Sequence, residues 1–152
     1  MKKLENKVAI VTGGARDLGR AVSLKMAEAG AKVVINYFDN EQDAIDTQAL
    51  IAQMGGESII VQGDMTKAAD VKRIVEEAVK AFGNEIHVLV NVVGGIVGRK
   101  KITEQDEDWY NFLMDVNMKS CWLCTREVVP FMPKGASIIN FSSLAARDGG
   151  GP

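Results

Sequence analysis

The 152-residue sequence has one histidine, two cysteines, three prolines and a formal net charge of only −2. This near balance of charge leaves no basic surface of the kind that binds nucleic acid. No apolar run approaches membrane-spanning length, and residues 1–7 lack the apolar segment of a secretion signal. We therefore expect a cytoplasmic globular domain with neither a membrane nor a nucleic-acid partner. Its composition, 47% hydrophobic, suffices for one core.

The two cysteines, Cys121 and Cys124, stand three positions apart, which suits a redox pair or half of a metal site. Structural zinc needs four ligands, but the sequence has no second Cys-x-x-Cys, and His87 lies far away along the chain. Two residues at this spacing also share one face of a helix. We expect two small packed side chains and no metal. Thiol redox chemistry is the alternative, and it requires both thiols to react in the folded state.

A glycine-containing turn follows the first apolar run. Residues 8–11 predict a buried strand, Gly13 and Gly14 end it, and a helical pattern opens around Gly19. A strand that turns through glycines into a helix offers free N–H groups and the positive end of the helix dipole to a phosphate. The common G-x-G-x-x-G fingerprint does not match this spacing. The turn nevertheless predicts a nucleotide cofactor.

The rest of the chain alternates predicted strands and helices. We expect strands at residues 8–11, 32–37, 58–62, 86–93 and 136–142, and helices at 17–29, 41–54, 66–82 and 106–131, the third capped by Thr66 and the fourth in two pieces. Apolar strands joined by helical crossovers predict an α/β fold, a doubly wound Rossmann-like parallel sheet ordered 3-2-1-4-5 over residues 1–152. Ligands bind beyond the strand carboxyl ends of such sheets, here between strands 1 and 4.

Residues 12–19, TGGARDLG, resemble T-G-x-x-x-G-x-G, the cofactor loop of the short-chain dehydrogenase/reductase family, with Asp17 in place of its middle glycine. Asn91 and Gly94 match the ends of that family's N-N-A-G motif, and Ser143 matches its catalytic serine. The resemblance implies an oxidoreductase that moves a hydride between a nicotinamide cofactor and a small carbonyl/alcohol substrate. Residues 33–44 most resemble the 3-oxoacyl-acyl-carrier-protein reductase branch.

The same resemblance assigns roles to individual residues. Ser143 would hydrogen-bond the substrate oxygen, and Asn117 would support a water chain in the catalytic centre. Asp64 and the backbone of Met65 would hold the adenine, although an aspartate here also simply opens the next helix in unrelated proteins. Asn91 would tie its strand to the neighbouring strands. The residues assigned to the cofactor are Thr12, Gly13, Arg16, Leu18, Gly19, Asn36, Asp64, Met65, Asn91 and Gly94.

The choice of cofactor is argued from the second strand and the glycine turn. The strand ends at Asn36 and Tyr37, whereas a carboxylate there would select NAD through the ribose hydroxyls. Arg16 offers a guanidinium for a 2′-phosphate. Both features favour NADP(H), with NAD as the other possibility. Asp17 either repels the phosphates or caps the helix, where negative charge is favourable.

The family's catalytic Tyr-x-x-x-Lys pair is absent from the sequence, since Tyr37 and Tyr110 are followed four residues later by Glu41 and Met114. We expect a chain truncated before that pair, catalytically inert alone, without the C-terminal strands. It would then have an open sheet edge and an uncovered apolar face. A non-catalytic nucleotide-binding protein is the alternative. Full-length members of the family form homo-dimers or homo-tetramers through the helix predicted at 106–131.

Overall fold

The computed structural model describes residues 2–96 and 98–148. The strands in this part of the chain are β1 (Val8–Thr12), β2 (Lys32–Tyr37), β3 (Ser58–Gln62), β4 (Val88–Asn91) and β5 (Ser137–Asn140). The α-helices are α1 (Asp17–Glu28), α2 (Glu41–Gln53), α3 (Ala68–Phe82), α4 (Glu107–Met114), α5 (Ser120–Val128) and the short α6 (Ala145–Asp148). Strands and helices alternate as the apolar pattern predicts.

The five strands form one parallel sheet in the order β3-β2-β1-β4-β5, which confirms the predicted topology. All five residues of the central strand β1 are buried. Ala9 and Val11 pack on the face covered by α1 and α2, whereas Ile10 packs on the face covered by α3 and α5. Burial of a side chain such as Ile10 contributes about 1.5–3 kcal/mol. The two covered faces keep β1, and the turn that follows it, in one position.

Three predicted elements differ from the structure by two residues at one end or both. β5 covers Ser137–Asn140 instead of 136–142. β4 covers Val88–Asn91 instead of 86–93, because Ile86 N donates to Phe131 O and the chain beyond Asn91 turns towards β1. Thr66 does not cap α3, which begins at Ala68, since both its backbone N–H and its hydroxyl donate to Asp64 Oδ1.

The segment predicted as a helix at 106–131 is interrupted by a π-helical turn at Asp115–Lys119 and closes with a 3₁₀ turn at Val129–Phe131. The π turn separates α4 from α5, in keeping with the prediction of two pieces.

Among the described residues, β5 pairs with β4 alone, and all four of its residues are exposed. Ile138 and Ile139 are 37% and 41% exposed, and Phe141 and Leu144 beyond them are also open to solvent. The expected open sheet edge and apolar surface are therefore present in this part of the chain. No described helix combines the length and apolarity needed to cross a bilayer.

Candidate functional site

A row of polar side chains crosses the carboxyl end of the sheet. Thr12 on β1 is in register with Asn91 on β4, and Asn91 is in register with Asn140 on β5. Asn36 follows Ile35, the register partner of Val11, and so continues the row on β2. Because the strands are parallel, the predicted site residues at their ends come together above this row.

Thr12 joins the ends of β1 and β4. It is 2% exposed, and its hydroxyl donates to Val90 O at 3.4 Å. The same oxygen accepts hydrogen bonds from Val92 N at 3.0 Å and Val93 N at 3.2 Å. Thr12 therefore holds the loop after β4 next to the glycine turn, and all these hydrogen bonds of its hydroxyl are to backbone atoms of β4 and that loop.

Asn36 holds the glycine turn from the other side. Its Oδ1 accepts from Gly13 N at 2.9 Å, and its Nδ2 donates to Gly63 O at 3.0 Å. The side chain is 1% exposed, so a direct contact with a cofactor, as predicted from the sequence, does not fit this enclosed amide. The structure instead gives Asn36 a positioning role.

Two glycines make the turn between β1 and α1 possible. Gly13 has φ +60°, in the left-handed region that glycine adopts without strain. A Cβ on Gly19 would lie 1.9 Å from Gly13 O, so no larger residue fits there. The turn therefore brings the start of α1, where the first N–H groups of a helix lack intrahelical partners, close to the end of β1.

Asp17 keeps the backbone shape of the glycine it replaces. Its φ is +49°, a conformation that aspartate tolerates better than most residues. Its side chain is 86% exposed, and Arg16, the N-cap residue of α1, makes no side-chain capping hydrogen bond. The predicted capping role of Asp17 is therefore not observed, although its charge lies at the positive end of the helix. The neighbouring Leu18 is 65% exposed.

Arg20, Asp43 and Thr47 were not identified from the sequence. Thr47 Oγ1 donates to Ala15 O at 2.7 Å, and Arg20 Nε donates to the same oxygen at 3.1 Å. Arg20 also reaches the Asp43 carboxylate at 3.3 Å. These contacts connect the glycine turn to α2. Arg20 and Thr47 are 27 positions apart, and Thr47 and Ala15 are 32 positions apart. Contacts between residues so far apart become visible only in the folded chain.

Asp64 stands at the end of β3, where adenine binding was predicted. Its Oδ1 accepts from Thr66 N and Oγ1, and its backbone N donates to Asp70 Oδ2 at 2.9 Å. That hydrogen bond, with a second one from Arg73, lowers the pKa of Asp70. Met65 as a whole residue is 3% exposed, so both its side chain and its backbone are largely enclosed.

Asn117 and Ser143 lie on segments that approach the ends of β4 and β5. Asn117 is hydrogen-bonded to the backbone of Gly95, and a Cβ on Gly94 would lie 3.0 Å from Asn117 Oδ1. Ser143 is exposed, and its hydroxyl oxygen accepts from Ala145 N at 3.2 Å. Its proton remains available to an oxygen on a substrate.

Asn91 was predicted to tie its strand to the neighbours. Its Nδ2 donates to Asn140 Oδ1 at 2.9 Å, which links β4 and β5. Its Oδ1 is buried without a hydrogen-bond partner among the described residues. The predicted link between the strands is therefore present. Asn140 was not predicted as a site residue, although it is the last residue of its strand, as Asn91 is of β4.

A family model described as short chain dehydrogenase matches residues 7–151. The chain belongs to the short-chain dehydrogenase family. An uncharacterized oxidoreductase of Methylorubrum extorquens is 38% identical over 144 residues, which are 95% of this chain and 57% of that protein. An uncharacterized oxidoreductase of Escherichia coli is 32% identical over 145 residues, 95% of this chain and 49% of that protein. The chain thus spans about half the length of the curated relatives it matches.

Solved structures of short-chain dehydrogenases superpose on nearly the whole chain. A dehydrogenase/reductase from Sinorhizobium meliloti gives a TM-score of 0.94 at 28% identity, covering 99% of this chain and 59% of its own. A short chain dehydrogenase from Burkholderia cenocepacia in complex with NADP gives 0.90 at 27% identity, covering 98% and 60%. The NADH-dependent reductase A1-R′ complexed with NAD gives 0.92 at 29% identity, covering 99% and 65%. Short-chain dehydrogenases bind NAD(P) and act on small molecules, and both dinucleotides occur among these structures.

The chain's own residues fit such a dinucleotide. The glycine turn leaves the first turn of α1 without a side-chain cap, and Arg16 is exposed beside it. Asp17 is the one residue at the turn whose charge opposes a pyrophosphate. Two shallow depressions in the described part of the chain lie beside β3, away from this turn. The exposed side chains of Arg16 and Asp17 leave the turn itself accessible to solvent.

The cysteines of this short-chain dehydrogenase chain have different surroundings. Cys124 is 3% exposed, its Sγ lies 3.6 Å from Met65 Sδ, and burial raises the pKa of its thiol to about 12. Cys121 is partly exposed, and its thiol donates to Asn140 Oδ1 at 3.2 Å. Both thiols are free, and no group of three or more His, Cys, Asp or Glu side chains comes together within the described residues.

Proposed function

We propose that the whole protein is an NADP(H)-dependent oxidoreductase that transfers hydride between the cofactor and a carbonyl/alcohol substrate. This chain would supply its dinucleotide-binding part. The glycine turn carries the proposal, because the close approach of Gly19 to Gly13 places the start of α1 next to the end of β1. The first N–H groups of a helix have no intrahelical partner and suit a phosphate. That position is the switch point of the sheet, where dinucleotides bind in doubly wound folds.

The bound cofactor would supply or accept the hydride. Ser143 would donate its hydroxyl proton in a hydrogen bond to the substrate oxygen, where negative charge develops as hydride arrives. The hydrogen bond from Ala145 N to its oxygen supports this role by limiting the rotation of the side chain. Asn117 would position the loop at Gly95, next to the end of β4.

Preference for NADP(H) is argued from the adenosine side. Asn36, at the end of β2, presents no carboxylate to a ribose hydroxyl and is enclosed by its own hydrogen bonds. The exposed Arg16 guanidinium lies 3.8 Å from the Asp17 carboxylate in a surface ion pair, and it suits a 2′-phosphate. The NADP complex of the Burkholderia cenocepacia dehydrogenase supports the same assignment. NAD is the alternative, as in the reductase A1-R′.

The proposed substrate class includes 3-oxoacyl groups on an acyl carrier protein, which rests on residues 33–44 alone. A second candidate is a nucleotide-binding protein without turnover, since the glycine turn supports binding of a dinucleotide but not by itself a transfer of hydride. The intact mass of the protein made from its own gene separates the two. A mass well above 16.4 kDa supports the enzyme, and a mass of 16.4 kDa favours the binding protein. The cytoplasmic location and homo-oligomeric assembly stay predictions.

Titration of the purified chain with NADPH and NADH, followed by nucleotide fluorescence, tests the cofactor assignment. Arg16→Ala should weaken NADPH binding about 10-fold and NADH binding less than about 2-fold, since a guanidinium–phosphate contact is lost. Lys25→Ala is the matched control, because Lys25 is an exposed cation near the other end of α1. Failure of both nucleotides to bind the unaltered chain would contradict the proposal.

A further inference from the structure

The carbonyl oxygen of Ala15, inside the glycine turn, accepts hydrogen bonds from two side chains. Thr47 Oγ1 donates at 2.7 Å and Arg20 Nε at 3.1 Å. Ala15 is 5% exposed and Thr47 is fully buried. Hydrogen bonds to a charged donor in a buried setting are stronger than those between neutral exposed groups. This oxygen is therefore a firmly held point directly before the exposed residues 16–18 of the turn.

Arg20 extends this connection to the start of α2. Its Nη2 donates to Asp43 O at 3.2 Å and to Asp43 Oδ1 at 3.3 Å, and its Nε also lies 2.8 Å from Thr47 Oγ1. The side chains of Arg20 and Asp43 are 31% and 28% exposed, so the pair is partly shielded from solvent ions. We call Arg20, Asp43 and Thr47 the loop clamp.

The loop clamp joins the glycine turn to the start of α2, and both segments lie beside the proposed site for the adenosine. Arg16 follows Ala15 directly along the glycine turn. Asp43 lies in the first turn of α2, whose N-cap residue Asn40 accepts a hydrogen bond from Asp43 N and follows β2 by three positions. Holding Ala15 against α2 therefore sets the position of Arg16 relative to the end of β2.

We propose that the loop clamp is a positioning element that sets the preference for a cofactor with a 2′-phosphate over one without. This inference rests on the proposed binding of a dinucleotide at the glycine turn. The pyrophosphate would be bound by backbone N–H groups at the start of α1, whose position beside β1 is set by the close approach of Gly19 to Gly13. Contact between Arg16 and a 2′-phosphate depends on the distance between the turn and the end of β2, which Asn36 sets at Gly13 and the clamp sets at Ala15, next to Arg16. Loosening the clamp thus lowers NADP(H) affinity more than NAD(H) affinity.

The test compares Thr47→Val with Thr47→Ser in the 152-residue chain, with dissociation constants for NADPH and NADH measured by fluorescence titration. Valine keeps the branched shape and removes the donor, whereas serine keeps the donor. We expect Thr47→Val to weaken NADPH about 5- to 10-fold and NADH less than about 2-fold, with Thr47→Ser close to the unaltered chain. If Thr47→Val does not fold, Asp43→Asn is the second test variant, because Asp43 is partly exposed. It should lower the ratio of NADPH affinity to NADH affinity by about 3-fold.

Equal weakening of both nucleotides, or none, in a folded Thr47→Val chain would overturn the inference and leave the proposed function standing. Failure of the unaltered chain to bind either nucleotide would instead overturn the proposed function, and this inference with it. Amide hydrogen exchange at residues 13–17 gives a reading without any nucleotide. Faster exchange in Thr47→Val but not in Thr47→Ser is expected, and unchanged exchange would contradict a positioning role.

Discussion

Asn117 and Gly95 hold one another by two hydrogen bonds. Gly95 N donates to Asn117 Oδ1 at 2.8 Å, and Asn117 Nδ2 donates to Gly95 O at 3.1 Å. The same Nδ2 also donates to Leu113 O, one helical turn earlier, at 2.9 Å. One side chain thus connects the π-helical turn at Asp115–Lys119 with the loop that leaves β4.

Replacing Asn117 should release that loop. Asn117→Ala removes both contacts to Gly95, and we expect the free energy of unfolding to fall by about 1 kcal/mol, the usual value for such hydrogen bonds. Urea unfolding measures the loss, and amide exchange should become faster at Gly95. Asn111→Ala on the exposed surface of α4 is the matched control. Unchanged protection of the Gly95 amide in Asn117→Ala would show that the loop is held by other contacts.

Asp17 should be replaceable by glycine without loss of stability. Its φ of +49° is strained for a residue with a Cβ, so Asp17→Gly relieves strain, at an entropic cost of about 0.5–1 kcal/mol. Asp17→Val, which tolerates the left-handed region poorly, should lose about 1–2 kcal/mol. Thermal unfolding of the three chains gives the order. A valine variant as stable as the unaltered chain would rule out the strain at this position.

The charge of Asp17 is tested separately through nucleotide affinity. Asp17→Asn keeps a residue that tolerates positive φ and removes a carboxylate beside the proposed pyrophosphate site. We expect NADPH and NADH to bind more tightly to this variant, by about 2- to 5-fold at low salt and less at high salt. Equal affinities of Asp17→Asn and the unaltered chain at every salt concentration would show that the carboxylate stays clear of the bound phosphates.

His87 should make the stability of the protein depend on pH. Its Nδ1 accepts a hydrogen bond from Val8 N at 3.2 Å, which requires that nitrogen to be unprotonated. Burial lowers the pKa of His87, Lys7 lowers it further, and Glu85 opposes the change. The unfolded chain therefore binds a proton more readily, and stability decreases as pH falls below the ordinary histidine pKa of about 6.5.

Urea unfolding between pH 7.5 and pH 5 measures this loss. The slope cannot exceed about 1.4 kcal/mol per pH unit, the limit for one proton. His87→Gln removes the titrating group, and because the chain has one histidine the slope in this range should flatten. An identical slope in the two chains would assign the pH dependence to other groups.

The two thiols should differ in reactivity. Burial raises the pKa of the Cys124 thiol to about 12, which leaves almost no thiolate at pH 8, whereas Cys121 is partly exposed. A disulfide reagent should therefore label Cys121 quickly and Cys124 only after unfolding. Cys121→Ser is the control that should leave no rapid reaction. Rapid labelling of both thiols in the folded chain would revive the redox alternative.

The sheet order could be predicted because each strand is a short apolar run and each crossover a recognisable helix. Parallel strands buried on both faces leave that pattern in the sequence directly, as Val8–Thr12 and Lys32–Tyr37 show. The site residues at strand ends followed from the same topology. For example, the order of the strands predicts that the ends of β1 and β4 are neighbours, and Thr12 is in register with Asn91 in the structure.

Features that depend on side-chain contacts between distant segments could not be predicted. Thr66 fits the pattern of a helix cap, but the nearby Asp64 carboxylate binds its hydroxyl and N–H instead. Within the π-helical turn, the Asn117 side chain is hydrogen-bonded to Gly95, a residue of another loop, and local sequence does not reveal this contact. The enclosed position of Asn36 follows from its contact with Gly13, 23 positions earlier, which local sequence does not reveal.

The central position of β1 also has a consequence for the order in which the protein acquires its structure during synthesis. β2 pairs with one edge of β1, with Val8 opposite Lys32, whereas the other edge waits for β4, with Ala9 opposite Val88. Those last two residues are 79 positions apart (88 − 9), which corresponds to roughly 4–16 s of translation. Until β4 emerges, the nascent chain exposes an unpaired strand edge that can join the wrong partner. Of the strand pairs in the described sheet, β1 and β4 are the farthest apart along the chain. β1 therefore waits longest during synthesis for a pairing partner, and its free edge needs protection during that time.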